Sequence, residues 1–129
     1  MFSKVLPFTK KSYSENLVSY YFSAGDNSYT VSIVISVNGF IRVSFDLDTK
    51  GQGIYSTGNS LSVFSTVIAI IKQELSLTGV KQVSFASKIN ATSRVSLYDK
   101  LCQYFSKHYN ANWEFEDDCK SREYNISFI

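Results

Sequence analysis

Two runs of alternating residues flank an Asn-Gly pair, and together they limit the fold more than any other feature. Tyr29, Val31, Ile33, Ile35 and Val37 alternate with polar residues except at Val34, and Ile41, Val43, Phe45 and Leu47 alternate with Arg42, Ser44, Asp46 and Asp48. Period two sends every second side chain to one face of a sheet, so Ser28 to Asp48 reads as a β-hairpin turning at Asn38-Gly39. Loop length decides which face is buried. A two-residue Asn38-Gly39 loop pairs Ile35 with Arg42 and sends the apolar rows to opposite faces. A three-residue Val37-Asn38-Gly39 loop pairs Ile35 with Ile41, Ile33 with Val43 and Val31 with Phe45, so both rows share one face. Register follows the buried face. The three-residue form is therefore expected, with Gly39 at positive φ.

The rest of the chain supplies partners for that face. Leu17 to Ser23, with Tyr20, Tyr21 and Phe22, reads as an earlier strand closed by a turn at Ala24–Asn27. Gly51, Gly53 and Gly58 mark a glycine-dense stretch leading into a helix. Leu61, Phe64, Val67, Ile68, Ile71 and Leu75 recur at helical spacing, Val63 and Ile70 widen the stripe, Asn59 or Ser60 can cap its start, and Gly79 can cap its end. Val80 to Ala86 is a short strand. A second helix starts at Asn90, Thr92 or Ser93, carries Leu97, Tyr98, Leu101, Cys102 and Phe105 on one side, and ends near Tyr109-Asn110. Two closing strands follow, one with Trp113 and Phe115 and one with Tyr124, Ile126 and Phe128, around a polar loop from Asp117 to Arg122. The predicted class is α+β: a mixed, mostly antiparallel sheet in the order β-β-β-α-β-α-β-β, with two main helices.

At 129 residues and 14.6 kDa, with 44% hydrophobic and 16% aromatic residues, the chain has the mass for one core and not for two. A single domain over 1–129 is expected, with 1–14 as an N-terminal tail. A formal net charge of +2 disfavours a strongly electrostatic nucleic-acid binder. No apolar run reaches the roughly 18 residues that span a bilayer, and the first residues lack the apolar centre of a signal peptide. A cytoplasmic protein is expected. Cys102 and Cys119 lie in no C-x-x-C pair; Cys102, on the apolar side of a helix, reads as a buried thiol. With one histidine, His108, no metal site is expected.

The segment from Tyr55 to Phe105 resembles the core of the GNAT acyltransferase superfamily. There a strand leads through an Arg/Gln-x-x-Gly-x-Gly/Ala loop into a helix. A second strand follows, then an Asn, then a Leu-Tyr-x-Lys-Leu stretch on the next helix. In this chain Tyr55-Ser56-Thr57-Gly58-Asn59-Ser60 stands at the loop, Val80 to Phe85 at the second strand, and Asn90 and Leu97-Tyr98-Asp99-Lys100-Leu101 at nearly the family spacing. The resemblance implies a truncated GNAT-like fold. It places Thr57, Gly58, Asn59, Ser60 and Asn90 at an acyl-CoA, where backbone N–H groups at a helix start can hold phosphates. It makes Tyr98 the proton donor to a leaving thiolate. Departures from the pattern are local. Tyr55 replaces the Arg/Gln, Ser60 replaces the second small residue, and Cys102-Gln103 stands where Gly-Phe usually follows. The family's first helices have no counterpart. Ser93-Arg94 with Leu97-Tyr98, and Thr57-Gly58-Asn59 with Val63-Phe64, also resemble small phage-encoded GNAT-like proteins of unassigned role.

Each of these residues has a structural reading as well. Gly58 can simply permit a tight turn, Asn59 and Ser60 can be caps, and Tyr98 can be core. His108 suits a helix C-terminus. Glu114 and Glu116 share one strand face, where a solvated edge outweighs paired-carboxylate chemistry. Two functions follow. The first is a non-catalytic GNAT-like module that binds a protein partner or self-associates through whichever aromatics among Tyr20, Tyr21, Tyr29 and Trp113 are exposed, with no cofactor; if phage-encoded, it would work in the host cytoplasm or on the virion. The second is an acyl-CoA-dependent N-acyltransferase using acetyl-CoA or another acyl-CoA. Neither requires nucleic acid or a membrane.

Overall fold

The described residues form one seven-stranded sheet with two helices, one strand more than the six expected. A computed structural model describes residues 5–25, 27–36, 39–47, 60–88 and 92–128. The strands are β1 (Phe8–Ser12), β2 (Leu17–Ala24), β3 (Asn27–Ile35), β4 (Ile41–Leu47), β5 (Gln82–Lys88), β6 (Asn112–Asp117) and β7 (Ser121–Ser127); the helices are α1 (Ser60–Thr78) and α2 (Thr92–Tyr109). Spatial order is β1-β2-β3-β4-β5-β7-β6, and only β4 and β5 run parallel.

The hairpin has the expected register. Ile35 pairs with Ile41, Ile33 with Val43 and Val31 with Phe45. Gly39 has φ +87°, and nothing lies within 4 Å of where its Cβ would be, so the conformation alone favours glycine there. The expected tail is corrected in one place: Phe8–Ser12, inside 1–14, forms β1 and pairs antiparallel with β2. A Lys-Lys pair on a mostly exposed edge leaves no apolar alternation, which is why the strand does not announce itself.

Register also assigns faces. Tyr20, Val31 and Phe45 lie in one row across β2, β3 and β4. Val43, Phe85 and Tyr124 lie in another across β4, β5 and β7. These residues are buried. Both helices cover this one face: α1 reaches Tyr20 through Glu74, and α2 lays Tyr98 on Phe85 and Tyr124. No described helix lies on the opposite face, where Ser19, Ser32 and Ser44 form a row across β2, β3 and β4. Right-handed crossovers from β4 to β5 and from β5 to β6 move the same way along the sheet, so both helices fall on the same side.

The helices end as their sequences suggest. Gly79, at φ 70°, donates its N–H to the Leu75 carbonyl at 2.9 Å and caps α1. Asn110 closes α2 at φ 55°. Val63, Val67, Ile68, Ile70 and Ile71 of α1 are buried, as are Leu97, Leu101, Cys102 and Phe105 of α2. Cys102 and Cys119 are free, one in the core and one on the surface. Among the described residues no helix is long and apolar enough to cross a membrane.

Candidate functional site at the parting of β4 and β5

Parallel strands β4 and β5 hold together over a short length. Ile41 pairs with Val83, Arg42 with Ser84 and Val43 with Phe85, and there the pairing stops. Both strands continue beyond that point with their other neighbours. β4 stays on β3 as far as Leu47 opposite Tyr29, and β5 stays on β7 as far as Lys88 opposite Ser121. The sheet therefore opens into a wedge between Ser44–Leu47 on one side and Ala86–Lys88 on the other. The chain leaves β4 at Leu47 and β5 at Lys88, both at the open end. The described chain resumes at Ser60, the start of α1, and at Thr92, the start of α2.

Tyr98 sits where the wedge begins. Its ring stacks on Phe85 with centroids 5.0 Å apart, and meets Tyr124 edge-on at 5.9 Å. Its hydroxyl accepts a hydrogen bond from the Phe45 N–H at 3.2 Å. That N–H lies on the edge of β4 that β5 has left, so a side chain from α2 takes the role the missing strand would have had. Tyr98 is 1% exposed. Tyr98 is thus both core residue and wedge residue, and the two readings of it coincide in space.

Tyr124 donates its hydroxyl to the Val95 carbonyl at 3.4 Å, and burial pushes its phenol up to about 12. Burial, with the Asp99 carboxylate adding to it, also pushes the Cys102 thiol up to about 12, so Cys102 stays protonated at neutral pH and is no nucleophile. Among the described residues no cluster of His, Cys, Asp and Glu has the makings of a metal site.

Thr57, Gly58, Asn59 and Asn90 lie outside the described residues; of Ser60, only its place as first residue of α1 is described. The expected aromatic contact surface is corrected. Tyr20 and Tyr29 are fully buried, because pairing with Val31 and Phe22 respectively puts both on the helix-covered face, and Tyr21 and Trp113 are half-buried. Exposed aromatics lie elsewhere, at Tyr13, Tyr109 and Phe115. His108 is exposed at the end of α2, with its ring 4.6 Å from that of Tyr104. Glu114 and Glu116 share the bare face, as alternation predicts.

Two buried polar groups escaped sequence reasoning. One is the Phe45 N–H, a backbone donor that no residue type can reveal. The other is Glu74, 2% exposed, which accepts hydrogen bonds from the Tyr20 hydroxyl and from Lys10 at 3.0 Å. Burial, followed by the Glu74 carboxylate, holds the Tyr20 phenol above the ordinary tyrosine range. Spacing carried that signal: Glu74 falls in the apolar stripe with Val67, Ile70 and Ile71.

No protein-family model matches the chain, and no curated protein sequence matches it. Solved structures do. The Campylobacter jejuni N-acetyltransferase PseH, also solved with acetyl coenzyme A, aligns with a TM-score of 0.59 at 8% identity, over 88% of this chain and 70% of its own. A Bacillus subtilis acetyltransferase in complex with CoA aligns at 0.57 with 14% identity, over 91% of this chain and 80% of its own. The Vibrio cholerae spermidine/spermine N-acetyltransferase SpeG aligns at 0.54 with 9% identity, over 91% and 68%. These likenesses establish the fold, which is that of the GNAT N-acetyltransferases.

Proposed function

We propose that the chain binds acyl-CoA in the wedge and acts as an N-acyltransferase. The observation that carries the reading is the parting of β4 from β5, with the Phe45 N–H turned into the opening. That donor fits the group. It lies on an unpaired strand edge in a buried position, and its present acceptor is a neutral hydroxyl, which a carbonyl oxygen could replace. Bound acyl-CoA would supply an activated acyl thioester. Phe45 would orient the acyl carbonyl through its N–H. As the acceptor amine forms its bond to the acyl carbon and the C–S bond breaks, Tyr98, released from that N–H, would give its hydroxyl proton to the departing sulfur, and the proton lost from the amine nitrogen would restore the phenol. Gly58 and Ser60, with Thr57, Asn59 and Asn90, would lie along the phosphates and the pantetheine. Neighbours solved with acetyl coenzyme A and with CoA support this choice of ligand.

A second reading is favoured by a different observation. Tyr98 is sealed in the core with its hydroxyl already engaged, as in a module that has lost its chemistry and works by binding a protein partner or itself. Tyr55 in place of Arg/Gln, and the resemblance to small phage-encoded proteins, support that alternative. Calorimetry with acetyl-CoA separates the two. The enzyme reading expects micromolar binding by the wild type, abolished in Gly58→Trp. In Tyr98→Phe it expects binding to persist while CoA release to a panel of amines falls at least tenfold. Absence of heat at millimolar acetyl-CoA would leave the protein-binding reading.

A further inference from the structure

The two edges of the sheet differ in charge. β1, at one edge, is Phe8-Thr9-Lys10-Lys11-Ser12, and β6, at the other, is Asn112-Trp113-Glu114-Phe115-Glu116-Asp117. Both are open: Thr9 to Ser12 are exposed on β1, and every residue of β6 except Trp113 is exposed. Some of these charges are satisfied within the molecule. Lys10 is held by Glu74, and Asp117 by Arg122 at 2.7 Å. Lys11, Glu114 and Glu116 have no ion pair among the described residues; the Lys11 ammonium rests over the Tyr13 ring at 5.0 Å.

Direction and pleat make these edges complementary. Only one neighbour relation in the sheet is parallel, so β1 and β6 run antiparallel to each other. A second copy set beside the first without being turned over therefore offers β1 antiparallel to β6. Lys11 pairs with Ser19, and Glu114 and Glu116 pair with Asn125 and Glu123, which puts all three charges on the bare face. Antiparallel pairing with the faces aligned brings Lys11 opposite Glu114 or Glu116. On the covered face, Phe115, 45% exposed, joins the row of Phe8 and Lys10. Pairing like edges fails on the same grounds: β1 on β1 sets lysines against lysines, and β6 on β6 sets glutamates against glutamates.

We infer that a second copy of this chain docks its β1 edge on the β6 edge of the first, extending the sheet head to tail. Edge charges ordinarily guard a strand against pairing. Here each guard repels its own kind and attracts the other. The contact is heterologous, so each added copy leaves a fresh β1 and a fresh β6 at the ends, and the assembly lengthens with concentration. Because the attraction is between exposed charges, salt weakens it.

Sedimentation velocity on the full chain tests this across concentration and salt. The expected result is a mass that rises above 14.6 kDa with concentration at low salt and falls back at high salt. Lys11→Glu alone, and Glu114→Lys with Glu116→Lys alone, should each sediment as monomer, since each carries two edges of one sign. An equimolar mixture of the two variants should associate again, because the reversed β1 matches the reversed β6. Circular dichroism confirms that the variants are folded, and recovery in the mixture cannot come from misfolded chains. Monomer at all concentrations, association that the variants leave unchanged, or a mixture that fails to recover would each overturn the inference.

Discussion

The two faces of the sheet share the same strands and differ in almost everything else. On the helix-covered face, Phe22, Tyr29 and Phe45 stack with centroids 5.2 and 5.5 Å apart, and Phe85 stacks on Tyr98. On the bare face, Ser19 faces Ser32 with hydroxyls 3.4 Å apart, and Arg42 pairs with Glu123 at 3.0 Å between half-exposed side chains. Among the described residues the bare face carries grooves, one of about 540 Å³ beside Thr9, Tyr21, Ser23 and Ser28. One face carries the stability. The other carries polar side chains, from the buried Ser19 and Ser84 to the exposed Arg42 and Ser44. A sheet covered on one side has room for a substrate or a partner on the other without loss of core.

The sharpest test of that contrast is Phe85→Ala. Phe85 is fully buried between Tyr98 and the sheet, so truncation should cost about 3–5 kcal/mol in urea denaturation. It should also loosen Tyr98 at the wedge, so any acetyl-CoA binding should weaken with it. A loss below about 1 kcal/mol would mean that the covered face tolerates rearrangement and that the two faces differ less than their packing suggests.

A smaller effect is expected at Glu74, the one buried acidic side chain among the described residues. Glu74→Ala leaves the Tyr20 hydroxyl with only the Gln73 amide as partner, at 3.1 Å, and strands Lys10. Because Lys10 is a third exposed, water compensates part of the loss, and about 1–3 kcal/mol is expected from the same denaturation curves. Combining Glu74→Ala with Lys10→Met should cost less than the sum of the two single changes. Strict additivity would mean that Lys10 contributes nothing through Glu74.

The smallest effect belongs to the bare face. Ser32→Ala removes one long hydroxyl contact and should change stability by no more than about 0.5 kcal/mol. A loss above about 1 kcal/mol that depends on protein concentration would show that another molecule covers this face in solution.

How far the fold was legible follows from where its information sits. The β3–β4 register could be read because a single residue of slip would turn four apolar side chains to water, and Gly39 permits the turn that prevents it. β1 could not be read, since an edge strand with four exposed residues needs no periodicity. The run Tyr20-Tyr21-Phe22 did not reveal which aromatics face inward, because that depends on pairing with Val31 and Tyr29, distant in sequence. At the candidate site, Tyr98 could be read from its stripe and its family spacing. The wedge could not, because the point where β4 leaves β5 is set by contacts between segments that share no local pattern.

The brevity of the β4–β5 junction has a consequence for how the chain reaches this structure. β1 to β4 each pair with the strand next to them in sequence, and β6 pairs with β7 across a turn held by the Asp118 carboxylate. Such local ladders close quickly. Joining them requires the whole length of chain from Val43 to Phe85 to loop back for a three-pair parallel ladder, a large entropic demand for little hydrogen bonding. The rate-limiting step of folding should be the joining of the β1–β4 meander to the unit of β5, β7 and β6, and amide exchange at Val43 and Ser84, whose N–H groups lie in the short parallel ladder, should report the last door to shut and the first to open.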